Sequence, residues 1–100
     1  MSASENVVVI GRWQTNEQTL SEVLKLVADL QVQSLAEPGC LGYEVFHRTD
    51  DPAALLLLER YLDNTALESH RSSKHYRELV TGRILPMLKD RRVEFLSARE

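Results

Sequence analysis

Two stretches of this chain are apolar without a break: Val7-Val8-Val9-Ile10 and Leu55-Leu56-Leu57-Leu58. Successive side chains of a β-strand point to opposite faces, so a strand covered on one face alternates apolar with polar residues. A continuous apolar run asks for cover on both faces. At 100 residues the chain is the size of one domain, with a core expected over about 6–97. A domain this small has no third layer to spend. The runs therefore ask for more cover than one copy supplies, and a twin packed face to face is the simplest source. The competing reading is that the surplus apolar residues fill a single core.

Composition removes several function classes. The formal charge is −3, with 12 Lys and Arg scattered among 15 Asp and Glu. Nucleic-acid binding needs a basic face, so that partner is not expected. No apolar run approaches the ~20 residues of a membrane span. The opening Met-Ser-Ala-Ser-Glu-Asn lacks the charged and apolar regions of a signal peptide, and the single cysteine, Cys40, suits a reducing compartment. The cytoplasm is the expected location. No CxxC, HExxH, GxGxxG or GxxxxGK[ST] pattern occurs, which closes the common routes to zinc, dinucleotides and nucleoside triphosphates.

The pattern along the chain gives the fold. Residues 6–14 read as a strand. Thr15, three before Gln18, has the spacing of a capping box and starts a helix carrying Leu20, Val23, Leu24, Val27, Leu30 and Val32 or Leu35. Glu37-Pro38-Gly39 stops it, with Gly39 free to take positive φ. Residues 41–48 and 54–62 read as two strands joined by a short turn, hence antiparallel. Asp63 is a good N-cap for a helix with Ala66, Leu67 and His70 on one stripe. Ser72 or Ser73 interrupts it, Tyr76, Leu79 and Val80 continue it, and Gly82 ends it. Residues 91–97 make a last strand. The order β-α-β-β-α-β is that of an α+β, ferredoxin-like fold: one antiparallel four-stranded sheet with both helices on one face.

That fold puts candidate chemistry together. Leu55, Leu57, Glu59 and Tyr61 share one strand face, and His70 lies on the helical stripe that meets the sheet. Burial raises the pKa of such a carboxylate, and a carboxylate beside an imidazole fixes its tautomer. Glu59 and His70 then serve either as a proton-transfer couple or as a structural hydrogen bond. Tyr61, Arg12, Leu57, Trp13 and Glu44 are the candidate substrate contacts, Arg12 toward an anionic oxygen. Arg12 also suits a surface ion pair, and Trp13 a core position. His70 and His75 are five residues apart, about 140° around an ideal helix, so they share a metal only if the helix breaks between them. No metal is expected, and His75 is expected at the surface.

Three of these segments together resemble the antibiotic biosynthesis monooxygenase domain, in its small quinol-monooxygenase-like branch. They are Glu37-Pro-Gly-Cys-Leu-Gly-Tyr-Glu-Val-Phe46, the Leu-rich strand 55–61 ending in Glu-Arg-Tyr, and Asp63…Ala66-Leu67…His70…Ser73…His75. The resemblance spans about 6–97. It implies a ferredoxin-like fold, dimerisation through the sheets into an α+β barrel, and a pocket between helices and sheet. It further implies oxygenation of a small electron-rich aromatic, a quinol or polyketide-like molecule, by O2 without a cofactor. In that scheme His70 is the base, Glu59 orients it, and Tyr61 or Arg12 donates to a substrate oxygen. The haem-degrading relatives carry a Trp near the position of His70 and a His near Val80, and this chain departs from both. Two alternatives stay open within the same fold: an isomerase-type enzyme, for which Arg12 and Arg71 are the nearby cations, and a protein that binds a small aromatic ligand without turning it over.

Overall fold

A computed structural model describes residues 6–98; of the frayed ends expected over about 1–5 and 98–100, Ala98 closes the last strand and the rest lie outside the described residues. The elements are β1 (Asn6–Gln14), α1 (Leu20–Leu35), β2 (Cys40–His47), β3 (Ala54–Tyr61), α2 (Asn64–Arg71), α3 (Tyr76–Ile84) and β4 (Asp90–Ala98). The strands pair antiparallel in the order β2-β3-β1-β4. This is the ferredoxin-like α+β arrangement that the strand order predicts. Among the described residues, no helix is long and apolar enough to cross a membrane.

Register sorts the apolar runs. Val7, Val9, Gly11 and Trp13 stand opposite Tyr61, Glu59, Leu57 and Leu55, and Glu59 is in turn opposite Tyr43. This face meets the helices, and Val9, Trp13, Tyr43, Leu57 and Tyr61 on it are buried. They form one core with Val23, Leu26, Val27 and Leu30 of α1, Leu67 of α2, and Leu79, Val80 and Ile84 of α3. Val8, Ile10, Leu56 and Leu58 face the other way and stay half-buried. Phe46 and Leu96 on that outer face are 48% and 49% exposed. The surplus apolar residues therefore do not fill the helix-side core.

Local details depart from the sequence expectations, each for a visible reason. Thr15 does not cap α1: its hydroxyl donates to the Ala53 carbonyl at 2.8 Å. The helix begins five residues later, after a turn in which Asn16 Oδ1 accepts from the Thr19 N–H at 2.9 Å. Its buried stripe is Val23, Leu26, Val27, Leu30 and Ser34, while Leu24, Val32 and Leu35 face solvent. Asp63 caps α2 as expected, its Oδ1 accepting from the Ala66 N–H at 2.8 Å. Gly82 does not end the last helix; α3 runs to Ile84 and is wound wide, so that the Leu85 N–H donates to the Val80 carbonyl five residues back.

Gly39 serves a different purpose from the one its φ freedom suggested. No described glycine has positive φ. A Cβ at position 39 would lie 2.4 Å from Ala66 Cβ, so the turn before β2 packs directly against the first turn of α2. Gly39→Ala is expected to cost about 1–3 kcal/mol, the usual range for overpacking. Ala66→Gly in the same chain should relieve more than 1 kcal/mol of that cost, as a coupling between contacting residues. Chemical denaturation of the two single variants and the double variant measures both.

Candidate active site

The close packing of Gly39 on α2 brings Glu37 of the α1–β2 turn beneath the helix pair. From above, α2 projects His70 into the core, where it is 2% exposed. Glu37 Oε2 lies 2.8 Å from His70 Nδ1 and 2.5 Å from His75 Nε2. From below, β3 presents Glu59, whose Oε1 is 3.8 Å from His70 Nε2. Tyr61, two residues further along the same face, donates its hydroxyl to Glu59 Oε1 at 2.6 Å. The polar groups thus run as one chain through an apolar core: Tyr61, Glu59, His70, Glu37, His75.

The hydrogen bonds assign the imidazole. An ionised carboxylate only accepts, so Glu37 holds the proton of His70 on Nδ1. Nε2 then faces Glu59 with its lone pair free, at a separation too long for a hydrogen bond. The Tyr61 ring, 5.1 Å away and tilted, and the Tyr76 ring, 5.2 Å away and edge-on, hold the imidazole plane from two sides. Burial raises the Glu59 carboxyl from 4.5 to about 7, against the Tyr61 hydrogen bond and the Arg91 charge, which both lower it. Burial lowers the His70 imidazole, against the hydrogen bond and charge of Glu37. Burial, reinforced by Glu59, raises the Tyr61 phenol and keeps it neutral. The site therefore pairs a carboxyl that keeps its proton up to about neutrality with an imidazole that burial favours in its neutral form.

A cavity of about 230 Å³ opens on this pair. Val9, Trp13, Leu67, Val80, Val93 and Phe95 give it apolar walls, Glu59, His70, Tyr43 and Tyr76 supply polar atoms, and Arg71 and Arg91 also line it. A water-poor space of this kind suits a small, flat, largely apolar molecule carrying a few oxygens. A second groove, of about 270 Å³, gathers exposed charges of Arg12, Arg48, Asp90 and Arg92 at the far end of the sheet. It lacks a buried titratable side chain, and the chemistry favours the first.

The seven residues expected at the site divide three ways. Glu59, His70 and Trp13 line the cavity. Tyr61 and Leu57 lie behind it and are fully buried; the Tyr61 hydroxyl is given to Glu59 and is not free for a substrate oxygen. Arg12 and Glu44 are on the opposite sheet face, where Arg12 pairs with Glu94 at 3.2 Å. Strand alternation forbids them the company of Glu59. The orienting carboxylate is also different: Glu37, not Glu59, holds His70 Nδ1. His75 is not a solvated surface residue, because the break after Ser72 turns it back onto Glu37. Sequence reading also passed over Arg91, which the β1–β4 register sets opposite Trp13.

Since the Glu59 carboxyl is raised on folding, its neutral form favours the fold, and that contribution is lost as pH rises from 4.5 through about 7. Glu59→Gln should gain stability relative to wild type on the order of 2–3 kcal/mol between pH 5 and pH 8. Denaturant titrations of both proteins at the two pH values check this; comparing the pair cancels other titrating groups.

Comparisons with known proteins place this chain among relatives. The sequence model of the antibiotic biosynthesis monooxygenase family matches residues 6–82. The Mycobacterium tuberculosis protein named "Putative monooxygenase Rv0793" is 34% identical over 70 residues, which cover 70% of this chain and 68% of that protein. The solved structure of Rv0793 superposes with a TM-score of 0.87 at 28% identity, covering 95% of this chain and 96% of that one. A structure described as an antibiotic biosynthesis monooxygenase gives a TM-score of 0.87 at 27% identity, covering 94% and 99% of the two chains. A conserved protein from Methanosarcina mazei has the same fold, with a TM-score of 0.89 at 24% identity over 96% of this chain and 95% of that one.

Proposed function

We propose a reaction for a chain that belongs to the antibiotic biosynthesis monooxygenase family: the oxidation by O2 of a small electron-rich aromatic, a quinol or polyketide-like phenol, in the helix–sheet cavity. The observation that carries this reading is the unpartnered Nε2 of a buried histidine, facing an apolar cavity while a carboxylate holds its other nitrogen. Triplet O2 reacts slowly with closed-shell molecules, but a quinol anion gives up an electron readily. The protein's tasks are then to bind the ring, take its proton and keep water out. His70 Nε2 takes the hydroxyl proton, and Glu37 stabilises the imidazolium that results. Glu59, protonated and braced by Tyr61, donates to the developing ketone oxygen. For a naphthoquinol the balance is quinol plus O2 giving hydroxynaphthoquinone plus water. In chelator-treated buffer, wild-type protein should consume O2 on addition of a reduced naphthoquinone. His70→Ala should lower that rate by about 10²–10⁴-fold, the range for a general base. Saturable quinol binding without O2 uptake would instead mark a ligand-binding protein.

The same reading extends to assembly: two copies pack outer sheet face on outer sheet face, and the dimer is the working unit. Val8, Ile10, Leu56, Leu58, Phe46 and Leu96 support it, as an apolar strip on the face that the helices leave bare. Sedimentation should report a dimer at micromolar concentration. Leu56→Asp should shift it to monomer while leaving the helix-side core intact.

A further inference from the structure

We propose that Glu37, His70 and His75 form a binding site for a divalent transition-metal cation of the zinc or cobalt(II) kind. Among the described residues, these three bring one ligand atom each within 4.8 Å of one another. The two contacts to Glu37 Oε2, at 2.8 and 2.5 Å, are shorter than the ~3.4 Å that separates donors around a tetrahedral ion with bonds of about 2.0–2.1 Å. The two contacts to Glu37 would have to open to that spacing to admit the ion. Two imidazoles and one carboxylate suit zinc-like cations; calcium and magnesium prefer all-oxygen shells.

The backbone is built to make the two histidines converge. Residues five apart on a continuous helix point about 140° away from each other. Here Ser72 ends α2, and Ser73 locks the break from both sides. Its hydroxyl donates to the His70 carbonyl at 2.6 Å and accepts the Tyr76 N–H at 3.2 Å. The restart puts His75 beside Glu37 instead of across the helix. The site is reachable, since the Glu37 and His75 side chains are 16% and 15% exposed. With a cation on Nδ1, the proton of His70 moves to Nε2, on the side of Glu59, whose Oε1 lies 3.8 Å away and beyond hydrogen-bond distance.

This site is independent of the oxygenase reading, though both use His70. A cation on Nδ1 places the proton on Nε2, so metal and substrate deprotonation exclude each other there. The test is a titration of the chelator-stripped protein with cobalt(II), followed by its visible ligand-field absorption. We expect one cobalt(II) per chain, displaced by zinc(II). Glu37→Gln and His75→Ala should each weaken binding at least tenfold, and His47→Ala should leave it unchanged. Circular dichroism of each variant verifies folding. Should His75→Ala fail to fold, wild-type histidine ¹⁵N shifts decide: zinc(II) must move Nδ1 of His70 and Nε2 of His75. Absence of saturable cobalt(II) binding up to millimolar concentration overturns the proposal, as does binding that neither variant weakens. The two readings fail separately. O2 uptake without metal binding sinks the metal site alone, and metal binding with no O2 uptake by the metal-free protein sinks the oxygenase reaction alone.

Discussion

The pairing of β1 with β3 is the constraint on which the site depends. Their register sets Glu59 between Val9 and Tyr43 and aims it at the helices. A slip of one residue would turn Glu59 out to the bare face and bring Leu58 in. The apolar runs make that slip less costly here than in an alternating strand, because both parities are greasy. The Trp13 and Tyr61 rings, buried on the helix side, break the tie.

Against that apolar background, the polar chain is costly. A buried carboxyl and a buried imidazole contribute less to stability than well-packed hydrophobic side chains of similar volume. Here each has a partner, Tyr61 for Glu59 and Glu37 for His70, so the groups are tolerated and held in one geometry. Yet their facing atoms, Glu59 Oε1 and His70 Nε2, do not bond each other. The pair lines the cavity, and perturbed, converging titratable residues cluster at functional sites.

Much of the fold was legible in the sequence because it rests on local signals. The runs at 7–10 and 55–58, the Asp63 cap and the strand order each follow from neighbours along the chain. The misreadings arise where a distant partner decides. Thr15 had the spacing of a cap, but the Ala53 carbonyl takes its hydroxyl. Glu37 read as part of a helix stop, since its importance appears only once Gly39 meets Ala66 and brings α2 overhead. His75 was set apart from His70 by the arithmetic of an unbroken helix. The serines that break it were visible, but the direction of the chain after the break was not. Arg12 and Glu44 were misplaced for a simpler reason. Arg12 shares parity with Val8 and Ile10, and Glu44 pairs with Leu58, so alternation alone assigns them to the outer face.

The two nitrogens of His70 face different partners, Nδ1 toward Glu37 and Nε2 toward Glu59. One carboxylate is enough to fix the tautomer of a base, as Glu37 does through Nδ1. His75 adds nothing to that hydrogen bond except a second claim on the same oxygen, at 2.5 Å. Both rings bond one carboxylate oxygen, which has a lone pair for each, and its other oxygen has no side-chain hydrogen bond among the described residues. In the proposed metal site the same three side chains would turn their lone pairs away from one another and onto a common cation. The turn at Gly39 serves both proposals, since it brings Glu37 to His70 Nδ1, whereas the break at Ser72-Ser73 serves the proposed cation, by bringing His75 to the same carboxylate.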